Sequence, residues 1–116
     1  EKEVEYDCAE FGMVGMETAF PLYYRLHLDR GVDLKRIIGA MTHLPAKIIG
    51  VPKGSLAKGC DGDVTVFDPS ATYTIDTDIF RSKSQNCPFV GKQVQGRVQY
   101  TIVGGNPVFS FESMGR

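Results

Sequence analysis

The side chains able to do acid–base, nucleophilic or metal chemistry are few and widely scattered. His27 and His43 fall on separate predicted helices, and neither has a carboxylate or thiol at the short fixed spacing of a compact metal or catalytic site. Both read as solvated or edge histidines. Cys8, Cys60 and Cys87 form no C-x-x-C pair, and their odd count and wide spacing argue against a disulfide scaffold and for a reducing compartment. They read as buried or half-buried thiols. Ser82 and Ser84 lack the flanking glycines of a nucleophile elbow. Asp61 and Asp63 flank Gly62 as in a calcium loop, but no later acidic ligands follow, so a tight turn before a strand explains them better.

One stretch is shaped for contact with a ligand's polar atoms. Gly12-Met13-Val14-Gly15 precedes a predicted helix, whose first N–H groups lack helical partners and favour anions or oxygen acceptors. Gly12, with no Cβ, lets a ligand approach the main chain, and Glu17 sits where the helix dipole favours a carboxylate. A simple loop-to-helix junction accounts for the same residues. No strand precedes the run and no third glycine follows it, so a dinucleotide fingerprint is weak.

The elements that must position these residues change character near residue 52. Ala19, Leu22, Tyr23 and Leu26 repeat at helical spacing, with Thr18 as the expected N-cap, Pro21 in the first turn and Gly31 as the stop. Asp33 caps a second helix carrying Leu34, Ile37, Ile38 and Met41. Pro45 is expected to end it and to open a short third helix, Ala46 to Ile49, closed by Gly50. From residue 54 the period becomes 2. Ser55-Leu56, Asp63 to Phe67, Thr72 to Ile75, Gly96 to Val103 and Pro107 to Phe109 read as strands, with Asp68-Pro69 as a stop and Gly104-Gly105-Asn106 as a turn. Residues 76–92 read as an ordered loop. Helices followed by strands predict an α+β arrangement. The strands are too few to cover the helices' apolar stripes, so those stripes are expected to pack against something the chain does not contain; a compact helix-on-sheet domain is the alternative.

Composition narrows the classes further. Hydrophobic residues make up 42% and charged residues 23%, which is globular rather than disordered. A net charge of −1 with no basic run gives no field for gathering nucleic acid or anionic lipid. No stretch approaches the roughly 20 apolar residues that span a bilayer. The acidic start Glu1-Lys2-Glu3-Val4-Glu5 is no signal peptide and has no initiating Met, which fits a chain beginning inside a longer protein.

Three stretches together resemble a known family. Phe11 to Leu22 is similar to the segment after the last metal ligand in bacterial-type dihydroorotases. Leu44 to Gly50 with Lys53 to Pro69 resembles the tail shared by the wider cyclic amidohydrolases. Ser82 to Gly91, with Gly96 and Thr101-Ile102-Val103-Gly104-Gly105, again resembles dihydroorotases. Gly62 stands where alanine is usual, and Cys87 where threonine is usual; both are small-residue exchanges in turns or loops.

The resemblance implies a parent built as a (β/α)₈ barrel with a small composite β-sandwich. Residues 1–51 correspond to its last helical barrel segments, and residues 52–116 to the C-terminal part of the sandwich. It implies two zinc ions held by a His-x-His pair, a carboxylated lysine, two further histidines and an aspartate, all upstream of Glu1. The metal-bound hydroxide attacks the cyclic amide of dihydroorotate to give N-carbamoylaspartate, a step of pyrimidine biosynthesis. Within this chain, only Phe11 and Gly12 match substrate-site positions. No catalytic residue and no metal ligand is expected here, so the chain alone is expected to be inactive. The expected partners are the small-molecule substrate, the rest of the parent chain and further copies in a homo-oligomer, in the cytoplasm, with neither nucleic acid nor membrane. A non-catalytic dihydroorotase homologue serving as a structural or partner subunit, or an allantoinase or hydantoinase, is the alternative.

Overall fold

The computed structural model describes residues 12–114. The first helix, α1, spans Met16–Arg30, followed by α2 at Leu34–Met41 and α3 at His43–Ile48. Three strands then form one antiparallel sheet in the order β1 (Val64–Thr74), β2 (Gln93–Val103) and β3 (Asn106–Ser110), and a single turn, α4, closes at Phe111–Met114. The architecture is α+β, as the sequence predicts.

Helix α1 begins two residues before the predicted cap. The Gly15 carbonyl accepts from Ala19 N at 2.8 Å and from Thr18 N at 3.2 Å, so Thr18 lies inside the helix. It is buried, and its hydroxyl donates back to the Gly15 carbonyl at 3.3 Å. Pro21 accordingly sits beyond the first turn, where its missing N–H leaves the Glu17 carbonyl without a helical donor. Gly31 ends the helix as predicted: with φ of 66° its N–H donates to the His27 carbonyl, and the Val32 N–H to that of Leu26. His27 Nδ1 donates to the Val32 carbonyl at 2.8 Å, fastening the same end.

Asp33 caps α2 as expected, its carboxylate accepting from Lys35 N at 3.0 Å. That helix ends at Thr42 rather than Pro45. The Thr42 backbone leaves the helical region (φ −130°, ψ −99°), and its hydroxyl donates to the Ile38 carbonyl at 2.7 Å. Pro45 therefore falls in the first turn of α3, where its missing N–H is not needed.

Ser55-Leu56 is not a strand. The segment lies against the α2–α3 junction, so close that a Cβ on Gly54 would sit 2.6 Å from the His43 backbone. Conversely, Asp68-Pro69 does not stop β1. The Asp68 carboxylate accepts from Ser70 N at 2.8 Å, Ser70 Oγ at 2.7 Å and Ala71 N at 3.2 Å, folding residues 69–71 into a bulge. Pairing resumes at Thr72↔Gln95, which merges the two strands predicted separately. Gln95 Nε2 donates to the Pro69 carbonyl at 2.8 Å and holds the bulge to β2. The β2–β3 hairpin turns on Gly104 and Gly105, both at positive φ (56° and 80°), the backbone that a two-residue hairpin loop demands.

The contact between helix and sheet is aromatic. Phe20 and Tyr24 of α1 meet Phe67 of β1 edge-on, with ring centroids at 4.7 and 5.8 Å. The buried face of α1 is thus Thr18, Pro21 and Tyr24, one step round from the predicted stripe. Tyr23 and Leu26 of that stripe stay exposed. So do Met41, Leu44, Ile48 (85% exposed) and Leu56 (78%). Each large apolar side chain left in water forgoes about 1.5–3 kcal/mol of burial. The expectation of unmatched helix stripes holds for Tyr23, Leu26 and Met41, whereas Ile37 of the second stripe is buried within the chain.

Candidate functional site

Gly12 stands at the mouth of an open groove of about 800 Å³, bordered by residues 12–17 on one side and by Arg81, Ser82 and Ser84 on the other. Its φ of 68° is left-handed, and no atom of the described residues lies within 4 Å of where a Cβ would project, so nothing of its own side chain screens it from the groove. Phe11, the other predicted substrate-site residue, lies outside the described residues. The start of α1 faces the same groove, bringing the partial positive charge of a helix N-terminus to its floor.

The opposite wall comes from the connection between β1 and β2. Backbone bonds Ile75 N to the Lys92 carbonyl (3.0 Å) and Gly91 N to the Ile75 carbonyl (2.9 Å) close this connection at its base. Ile75 (1% exposed) and Cys87 are buried, and a 3₁₀ turn at Thr77–Ile79 shapes the rise. The segment predicted as an ordered loop is therefore anchored in the core. Within it, Ser84 N donates to Ser82 Oγ and Asn86 N to Ser84 Oγ, each at 3.2 Å, so the serines serve the backbone rather than a nucleophilic role.

Three hydrogen bonds join the two walls. Arg81 N donates to Glu17 Oε1 at 3.0 Å, Asn86 Nδ2 to the Gly12 carbonyl at 2.8 Å, and Val14 N to the Asn86 carbonyl at 2.8 Å. Glu17 Oε2 is buried with no hydrogen-bond partner among the described residues. The carboxylate that the sequence assigns to the helix dipole thus also holds the far wall. Sequence reading missed the role of Asn86, because a side chain bonding a backbone carbonyl 74 residues away has no local pattern.

A second hollow of about 400 Å³ lies between α1 and the sheet, lined by Phe20, Tyr73, Ile79, Phe109 and Phe111 around Arg97. The Arg97 guanidinium stacks over the Phe111 and Tyr73 rings, 4.4 and 4.9 Å from their centroids, and Nη2 donates to the Thr72 carbonyl at 3.0 Å. Burial pushes the Tyr73 phenol above its ordinary pKa, and the Arg97 charge offsets part of the rise. Its lining is chiefly apolar, and Arg97 Nε is buried there with no hydrogen-bond partner among the described residues.

The donors here do not suit a metal ion. Among the described residues no three His, Cys, Asp or Glu side chains gather. His27 Nδ1 is engaged at the end of α1, Cys87 is buried, and Cys60 is exposed, where the sequence suggested a buried or half-buried thiol. Asp61 and Asp63 are both paired with the Lys53 ammonium, the latter at 2.7 Å. The Asp61–Asp63 turn is accordingly a clasp and not a cation loop.

Comparison with known proteins gives the family. The profile of the amidohydrolase family matches residues 5–108. The dihydroorotase of Elusimicrobium minutum is 44% identical over 106 residues, covering 90% of this chain and 24% of that protein. The dihydroorotase of Anaplasma phagocytophilum is 41% identical over 112 residues, covering 97% and 25%. Among solved structures, the L-hydantoinase (dihydropyrimidinase) of Arthrobacter aurescens superposes with a TM-score of 0.80 at 33% identity, covering 88% of this chain and 23% of that one. The D-hydantoinase of a Thermus species does so at 0.81 and 27% identity, covering 90% and 24%. The chain spans about a quarter of the length of the curated relatives it matches. With the family profile along nearly its whole length and the same fold in solved relatives, the chain belongs to the amidohydrolase family.

Proposed function

We propose that the chain is the C-terminal quarter of a zinc-dependent dihydroorotase, which reversibly hydrolyses the cyclic amide of dihydroorotate to N-carbamoylaspartate in pyrimidine biosynthesis. The observation that carries this reading is the 44% identity to a dihydroorotase, against 33% and 27% to two hydantoinases of the same fold. Residues 1–51 are then the last helical segments of a (β/α)₈ barrel, and residues 52–116 the C-terminal part of a composite β-sandwich. The exposed Met41, Leu44, Ile48 and Leu56 find their cover in the remainder of that enzyme.

In this reading Phe11 and Gly12 meet the substrate ring through their main chain at the barrel mouth. The left-handed backbone of Gly12 at the edge of the groove, with no side chain of its own to screen it, supports that role. Two zinc ions, held by residues outside this chain, supply the activated water. The chain itself contributes the rim: it presents main-chain polar atoms and narrows the mouth with the Arg81–Asn86 wall. Alone it turns over no substrate. The complete enzyme works in the cytoplasm as a homo-oligomer on a small molecule, without nucleic acid or membrane.

Zinc content and turnover of the full-length enzyme on dihydroorotate, hydantoin and allantoin test the proposal. Zinc-dependent hydrolysis of dihydroorotate is expected. Turnover of hydantoin or allantoin with none of dihydroorotate would move the chain to those enzymes, a reading that the superposition on two hydantoinases favours. A full-length protein without zinc or turnover would make it a non-catalytic homologue acting as a structural or partner subunit.

A further inference from the structure

We infer that Asn86 is a positioning residue for the site: its carboxamide fixes the orientation of the Gly12 peptide that the substrate meets. This rests on the reading of Gly12 as a substrate contact.

Two bonds carry the inference. Asn86 Nδ2 donates to the Gly12 carbonyl, and the Asn86 carbonyl accepts from Val14 N, both at 2.8 Å. Asn86 therefore holds residues 12–14 at two points. Gly12, at φ 68°, is the residue in this stretch with the most conformations open to it, and its carbonyl direction changes with each of them. Left untethered, a glycine at the rim of a site would present its polar atoms in many orientations, and binding would select one of them at a cost in affinity.

The direction of control follows from which side is anchored. Asn86 is followed by buried Cys87, and its own N–H is held by Ser84 Oγ at 3.2 Å. The same wall is fastened at Arg81, whose N–H donates to Glu17 Oε1. At its base it joins the β1–β2 ladder through Ile75, which is 1% exposed. Gly12 and Met13 are exposed, as are residues 81–85, whereas Asn86 is half-buried beside buried Cys87. Asn86, the better packed of the two, positions Gly12.

The experiment compares the full-length enzyme with its Asn86→Ala and Asn86→Asp variants. Asn86→Asp keeps the shape but replaces the donor with a carboxylate oxygen facing the Gly12 carbonyl. We expect KM to rise about 3- to 10-fold in Asn86→Ala and further in Asn86→Asp, with kcat within about twofold and zinc content unchanged. A residue that only filled space would be replaced by its isostere without loss, so wild-type KM in Asn86→Asp overturns the inference. A fall in kcat that follows thermal stability at constant KM, or loss of folded protein in both variants, overturns it as well by making Asn86 a folding residue. A wild-type enzyme inactive on every ring tested removes the functional reading itself, and the inference with it.

Discussion

The ring of Tyr24 occupies the place that a side chain on Gly96 would need. A Cβ on Gly96 would lie 2.7 Å from Tyr24 Cδ1 and 3.2 Å from Cε1, and the residue is held at φ 91°. Gly96 faces the β1 bulge, between Gln95 and Arg97, which pair with Thr72 and Asp68. It is thus the point where helix α1 rests directly on strand backbone. Gly96→Ala meets both the clash and the unfavourable φ, and is expected to destabilise the full-length enzyme by about 2–4 kcal/mol. Urea denaturation measures this; an unchanged midpoint would mean that α1 can slide off β2 freely.

Ile75 anchors the wall of the groove. At 1% exposure it is among the most buried side chains of the described residues, and its N–H and carbonyl close the β1–β2 connection. Ile75→Ala should cost about 2–5 kcal/mol, and Ile75→Val about 0.5–1.5 kcal/mol. Amide exchange should rise first in residues 76–91. Uniform acceleration across the enzyme would show that Ile75 supports the whole fold rather than this wall.

The clasp at Lys53 is sensitive to pH. Its hydrogen bonds to Asp61 and then Asp63 hold the ammonium well above the usual lysine value. The Asp63 carboxyl lies below its ordinary 3.8, chiefly through its bond to Lys53 and then through Gly104 N at 2.8 Å. A depressed carboxyl contributes stability above its unfolded value, and that contribution is lost as pH falls through the lower folded value. A raised lysine contributes fully below its unfolded value of 10.5 and loses its contribution as pH rises through its higher folded value. The melting temperature of Asp63→Asn should therefore fall below wild type at neutral pH, and the gap should close in acid below about 3.8. A gap that stays constant down to pH 2 would contradict this. All three groups are solvent-exposed, so high salt should narrow the gap as well.

The junction between α1 and α2 is built from two local devices. Asp33→Ala removes the cap on Lys35 N and should cost about 1 kcal/mol. Gly31→Ala forces a β-carbon into φ 66° and should cost about 1 kcal/mol. The sites are close in sequence but use different bonds, so their effects should add within about 0.5 kcal/mol in the double variant. A strongly non-additive result would reveal a shared rearrangement of the junction.

Much of the fold is legible in the chain, and the limits follow the range of each signal. Asp33 and Gly31 announce their caps because the bonds they make span a few residues. Gly104-Gly105 announces the hairpin because its backbone needs positive φ. The same logic misplaced the start of α1. Thr18 is an acceptable cap by type, but burial against the sheet drew it inside the helix and left Gly15 at the boundary. Asp68-Pro69 reads as a strand stop because proline cannot donate to a ladder. The Asp68 carboxylate bonded the following amides instead, and Ser70 above all holds its pKa below the ordinary value.

By itself the sequence determined the order of helices before strands, the caps at Gly31 and Asp33, the hairpin and the resemblance to an amidohydrolase. These rest on short-range propensity and on runs of residues that can be read one after another. Only the tertiary structure decided which face of α1 is buried, where the long β1–β2 connection lies, and that Asn86 and Arg81 reach back to Gly12 and Glu17. Those contacts span 74 and 64 residues. They form because the strands place the connection over the start of α1, and no local pattern at either end encodes that meeting.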